Sequence, residues 1–223
     1  MENKKFNFSA IKRKEEFAKS GFDRESNPYR SDNVDCPKYM KFGVDNQYPE
    51  YLISLYNQSS THASCINSIV QAITGDGLVC DNEDYLKRAN RDGESWNDIY
   101  NKVALDYKLF GGYALEIIYT RDRSKIAEIY HVDFSHVRAM EKDDRNKIPG
   151  FYISSEWKPI WNYNIEQDDK KLPQLPAFNL FKRNEEPKQL LYHNPYRPGQ
   201  QYYPLPDYVG GSKVIDLDQE VDN

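Results

Sequence analysis

The apolar positions change period several times along the chain, and those changes place the elements. Tyr51, Leu52, Leu55 and Tyr56 recur at helical steps behind Pro49, a residue suited to a first helical turn. From Ser59 to Ile73, Cys65, Ile66, Ile69, Val70 and Ile73 form one stripe at steps of three and four. Ser59 or Ser60 caps this predicted helix and Gly75-Asp76-Gly77 stops it. The stripe is expected to bury Ile66, Ile69, Val70 and Ile73. A second helix begins at Ser95, with Asp98 completing an imperfect capping box, and ends at Gly111-Gly112. Beyond it, the β-rich runs Tyr113–Tyr119, Ile126–Val132, Val137-Arg138 and Gly150–Ser154 are separated by turn formers. They predict three or four antiparallel strands in a meander. Short strands are also expected at Lys41–Val44, after Leu78 and at Gln189–Tyr192.

The remaining segments follow neither period. Residues 1–45 are polar and mixed in charge, with few apolar anchors such as Phe6, Phe8, Ile11 and Phe17. They read as an arm, partly disordered in an isolated chain and ordered against a neighbour. Residues 46–223 form the folded domain. Tyr192–Tyr208 holds five tyrosines, four prolines and one glycine. Proline fixes φ and removes a donor, so no regular helix or central strand runs through it. Pro198-Gly199 marks a turn. The stretch reads as a rigid aromatic loop feeding a C-terminal helix that carries Val209, Val214, Ile215 and Leu217. Tyr202 and Tyr203 are expected to pack inward, and Tyr196 and Arg197 to face a neighbouring subunit, since aromatic and arginine side chains anchor such contacts.

Composition narrows the function classes. The chain has 223 residues, 39% of them hydrophobic, 18 tyrosines and a net charge of −5. An acidic balance argues against a general nucleic-acid binder. Three cysteines, Cys36, Cys65 and Cys80, suggest reduced thiols rather than a disulfide framework. Met1–Lys19 shows no signal-peptide pattern, and no apolar run approaches a membrane span, so a soluble chain made in the cytoplasm is expected.

Candidate chemistry is sparse. His62 and Cys65 lie one helical turn apart, but no paired metal-ligand spacing is present, and Cys65 on the apolar stripe reads as a small buried hydrophobe. No metal and no cofactor are expected. His62, Ser64, Glu116, Asp133 and His131 belong to no nucleophile elbow or other catalytic motif, and no catalytic residue is assigned. The glycine pairs lack a phosphate-loop continuation and read as helix terminators. The cluster Lys4, Lys5, Lys12, Arg13 and Lys14 reads as a solvated face.

Four segments in order carry a family resemblance. They are Asn46–Leu52 with the helix that ends at Gly75–Gly77, Asp106–Tyr119, Ile126–Arg138, and Pro198–Tyr208. In this order they resemble the N-terminal half of the portal proteins of tailed bacteriophages. The resemblance implies an α+β fold with helices on an antiparallel meander, like the wing of a portal. It further implies a homo-oligomeric ring of about twelve subunits at one capsid vertex. Double-stranded DNA would pass through that ring without sequence specificity during packaging and ejection. The terminase large subunit, head-completion or adaptor proteins and capsid proteins would be its partners. The location implied is the virion, after assembly in the host cytoplasm, with no membrane. The family's stem, clip and crown have no counterpart in this chain, which suggests a fragment or split gene. Two other readings stand beside this one: a free-standing tyrosine-rich adaptor, and a divergent hydrolase using His62 or His131.

Overall fold

The computed structural model describes residues 39–43, 45–157 and 172–222. Most of the arm expected from the sequence, with Cys36, lies outside them. Of the stretch assigned to that arm, Tyr39, Met40 and Phe42 are buried in the core.

The fold is α+β. Helix α1 spans Tyr48–Gln58 and α2 spans Ser60–Thr74. A short helix α3 covers Glu83–Leu86, and α4 covers Trp96–Phe110. The local signals act as expected. Ser59 Oγ accepts the His62 N–H at 3.1 Å, and Ser95 and Asp98 form a complete capping box. The strands are β1 Tyr113–Tyr119, β2 Ile126–Val132, β3 Val137–Ala139, β4 Gly150–Ile153, β5 Gln174–Pro176 and β6 Lys188–His193. A 3-10 turn, Asp207–Gly211, leads into helix α5, Ser212–Asp222.

The strands do not form one meander. They divide into two antiparallel sheets, ordered β2-β1-β6 and β3-β4-β5. Only the second is a meander. The break falls at Asp133, whose Oδ1 accepts the Ser135 N–H at 2.9 Å and the Ser135 hydroxyl at 2.6 Å. This caps the 3-10 turn Phe134–His136 and turns the chain away from the first sheet. The edge of β1 left open is taken by β6, with Ala114 opposite Tyr192 and Ile117 opposite Gln189. Two other expected strands are not formed among the described residues. Among the described residues between Tyr39 and Asn46 only Tyr39 makes a bridge, to Met140, because Gly43 and Asn46 take positive φ and turn the backbone. Val79 is almost fully exposed, in no strand.

The core lies where α1, the end of α4 and both sheets converge. Leu52, Leu55, Phe110, Phe134, Phe151 and Leu190 are at its centre. Helix α2 lies outside it and corrects the sequence reading. Of the stripe expected to be buried, only Ile66 is, at 3% exposure; Ile69 is 42% exposed, Ile73 41%, and Cys65 is exposed too. The helix packs on α4 and α1, not on the meander. A helix seated on two other helices buries the line His62 and Ile66 and leaves the flank of the stripe in water.

Ile66→Ala is therefore expected to cost roughly 2–5 kcal/mol, the range for emptying a core aliphatic site. Ile69→Ala should stay within about 0.5 kcal/mol of wild type, as surface substitutions do. Urea unfolding of both variants measures this, and equal losses would place the whole stripe in the core.

Candidate interface at the tyrosine and proline loop

The loop between β6 and α5 is pinned by its own aromatic rings. The Tyr203 ring stacks on Phe42 with centroids 4.1 Å apart and planes 8° from parallel. Its hydroxyl accepts the Ala139 N–H at 2.9 Å and donates to the Met40 carbonyl. Tyr202 is buried beside it. The Tyr192 hydroxyl donates to the Tyr202 carbonyl at 3.1 Å, and the Tyr208 hydroxyl to the Leu109 carbonyl at 2.7 Å. Pro198-Gly199 is a turn, with Gly199 at φ 83° and the Gln200 N–H on the Arg197 carbonyl at 3.1 Å. Tyr202 and Tyr203 thus point inward, as the sequence suggests.

The Gly111-Gly112 pair does more than end α4. Gly111 closes the helix at φ 87°. A Cβ on it would meet the Leu205 carbonyl oxygen at 2.4 Å, and one on Gly112 the His193 carbonyl oxygen at 2.4 Å. The loop lies directly on the turn between α4 and β1, and only hydrogen fits between the two backbones.

Where the loop crosses α4 it leaves an open cleft of about 280 Å³, walled by Tyr107, Gly111, Tyr196, Arg197, Leu205 and Asp207. Both interface residues suggested by the sequence line it. Tyr196 is 91% exposed. Arg197 is half-buried, and its Nη1 donates to the Leu205 and Pro206 carbonyls at 3.2 and 3.1 Å. At the rim Lys108 pairs with Asp207; the lysine side chain is mostly buried, while the carboxylate stays 70% exposed.

The groups with shifted titration sit elsewhere. Asp106 Oδ2 lies 2.8 Å from His131 Nε2 and accepts the Phe134 N–H at 3.2 Å. Burial raises the Asp106 carboxyl, and His131 partly offsets the rise. Among the described residues His131 bonds no serine, threonine or cysteine. His62 packs edge-on against Tyr208 at 4.5 Å, and its Nε2 is buried without a hydrogen-bond partner among the described residues. Burial lowers its pKa. Burial also raises the Tyr208 hydroxyl well above its ordinary value. Among the described residues no His, Cys, Asp and Glu cluster is suited to a metal, and no helix is long and apolar enough to cross a membrane. The cleft itself presents apolar area, a guanidinium and an exposed carboxylate. Sequence reading missed Tyr107 and Gly111, which carry no local sign of facing this loop.

Two variants test the seat of the loop. Tyr203→Phe leaves the buried Ala139 N–H without its acceptor and should cost about 1–3 kcal/mol in denaturant unfolding. A neutral result would mean the hydroxyl is not holding the loop down. His62 has a pH signature. Its native pKa is depressed, so the unfolded chain takes up the proton first as pH falls below the ordinary value of 6.5. Stability from this group is complete above that value and lost as pH falls through the depressed native pKa. Thermal melts should therefore fall below about pH 6.5 in wild type, and His62→Gln should flatten that limb. An unchanged slope would show that His62 is hydrated in the native state.

No family model matches the chain, and no curated protein matches it in sequence. Solved structures do match in fold. A chain in the virion of a native gene transfer agent particle superposes with a TM-score of 0.57 at 12% identity, covering 78% of this chain and 42% of that one. A chain in the neck of the native particle, computed with C12 symmetry, gives 0.57 at 13% identity, over 78% of this chain and 43% of that one. A chain in the neck of the empty particle, computed with C6 symmetry, gives 0.55 at 13% identity, over 77% and 43%. This chain thus shares their fold and spans less than half the length of each matched chain.

Proposed function

We propose that this chain is a structural component of a phage-like particle, placed at the neck between head and tail, and that it is a subunit of the portal ring there. The fold likeness carries this reading: more than three quarters of the chain superposes on chains of a particle's neck computed with C12 and C6 symmetry. The order of the four portal-like segments supports it independently. On this reading the partners are further copies of the chain in a ring of about twelve, the terminase large subunit, head-completion or adaptor proteins and capsid proteins. Double-stranded DNA passes through without sequence readout. The net charge of −5 suits such a passage, since tight phosphate binding would hold the duplex in place. The role is non-enzymatic, and a hydrolytic rate on ester or nucleic-acid substrates that His131→Ala abolishes would overturn that part.

Tyr196 and Arg197 are the subunit-contact residues in this proposal. Sedimentation and mass photometry of the full chain should find a closed ring. Tyr196→Ala should weaken assembly by about 2 kcal/mol or more, as a central aromatic anchor does, and leave the monomer melt unchanged because the ring is exposed. Arg197→Ala should lower both, since its guanidinium also holds the Leu205 and Pro206 carbonyls. An intact ring in Tyr196→Ala would remove the interface assignment, and a chain that remains monomeric at every concentration would remove the ring.

A further inference from the structure

Phe181 is the most exposed aromatic residue among the described ones, at 94%. It does not sit on a loose tip. The turn Leu180–Lys182 is capped by Asn179, whose Oδ1 accepts the Phe181 N–H at 3.0 Å. Gln189, fully buried, grips Asn179 on both sides: its Oε1 accepts the Asn179 N–H at 2.9 Å and its Nε2 donates to the Asn179 carbonyl at 3.2 Å. The Lys182 carbonyl closes the loop by accepting the N–H groups of Glu185 and Glu186 at 3.0 and 2.9 Å. A large apolar ring is thus held out in water by a fixed frame, with Leu180, 53% exposed, beside it. Such preorganised aromatic projections act as anchors, because little entropy remains to be lost on docking.

The cleft beside Tyr196 has matching dimensions and chemistry. Its volume is about 280 Å³, and an apolar cavity of about 150 Å³ already accepts benzene. Tyr107, Tyr196 and Leu205 offer it apolar area. The charges match as well. Lys182, exposed next to Phe181, fits the exposed Asp207 carboxylate. Glu185 and Glu186 fit Arg197, which uses only Nη1 within its own chain among the described residues. The knob precedes β6 and the Tyr196 and Arg197 wall of the cleft follows it, so the six residues of that strand, roughly 20 Å long, lie between them along the chain. A ring needs a heterologous contact, in which two different patches of one chain meet on neighbouring copies.

We propose that Phe181 of one copy of this chain inserts into the Tyr196 and Arg197 cleft of the next, a contact that rests on the ring reading above. The test uses full-length chains in which Cys36, Cys65 and Cys80 are serine. One chain carries Phe181→Cys and the other Tyr196→Cys. Mild oxidation of the mixture should give a disulfide-linked heterodimer, and neither chain alone should give a dimer. In the otherwise native chain Phe181→Glu should disperse the assembly without shifting the monomer melt, and Phe181→Trp should retain it. Assembly that survives Phe181→Glu, or a mixture that yields no heterodimer, overturns the contact and leaves the ring standing. A dimer from Phe181→Cys alone overturns it in favour of a two-fold contact. A wild-type chain that is monomeric throughout removes ring and contact together.

Discussion

A fully buried guanidinium organises this fold. Arg138, on β3, is 0% exposed. Its Nε donates to Asn46 Oδ1 at 2.6 Å and its Nη2 to the Asn46 carbonyl at 3.0 Å. Its Nη1 donates to the Ser135 and Val137 carbonyls at 2.7 and 3.0 Å. Its plane lies over Trp157 at 4.9 Å and Phe42 at 5.8 Å, with Glu50 3.7 Å away as the nearest counter-charge. Burial disfavours both charged forms, lowering the Arg138 pKa and raising that of Glu50, while each opposes the shift of the other. An ion pair so placed adds little net stability over apolar packing, but losing either partner strands the other. Its effect here is on geometry. To offer the side-chain oxygen and the carbonyl to one guanidinium, Asn46 takes φ 71°, and that turn sets the angle at which α1 enters.

From this hub the seat of the tyrosine and proline loop follows in two steps. Phe42, over which Arg138 lies, also stacks on Tyr203. The Tyr203 hydroxyl then bridges the chain on either side of the hub, Met40 before α1 and Ala139 on β3. Tyr192 makes the second link. Its ring stacks on Phe134 at 5.2 Å and meets Phe151 at 4.6 Å, joining β6 of the first sheet to β4 of the second. The loop is continuous with the core, so a disturbance at Arg138 should be felt at the surface that carries Tyr196.

What was legible in the sequence was local. Helical spacing places α1, α2 and α4, the cap at Ser95 is real, and β1, β2 and β6 lie where β-branched and aromatic residues collect. Pro198-Gly199 turns as its chemistry requires. The illegible part is pairing at long range. A stripe such as Cys65 to Ile73 declares that a helix has an apolar side, not how wide its partner is, and a partner made of helices covers only one line of it. Asp133 caps a turn in either topology, so it does not reveal that the next strand joins another sheet. Gly111-Gly112 ends a helix under any reading; the approach of Leu205 and His193 to it is set by residues more than eighty positions away. Arg138 in a short β run looks like a surface residue until Asn46 is brought to it.

The abundance of tyrosine in the loop has a physical cause apart from any partner. Four prolines between Tyr192 and Tyr208 remove four backbone donors and no acceptors. A segment so built has spare carbonyls, and those that become buried need donors from side chains. Arg197 supplies two such bonds, to Leu205 and Pro206. The Tyr192 hydroxyl supplies one to Tyr202, and the Tyr208 hydroxyl returns one to Leu109 on the helix beneath. Phenylalanine would fill the same space and leave these acceptors unsatisfied. By this account most of the loop's tyrosines are needed at home. Tyr196 is the exception: it is 91% exposed, and its hydroxyl meets no protein group among the described residues. A side chain with no partner among the described residues stands beside a cleft on a backbone that prolines and hydrogen bonds have already ordered, where docking a neighbour would cost little further entropy.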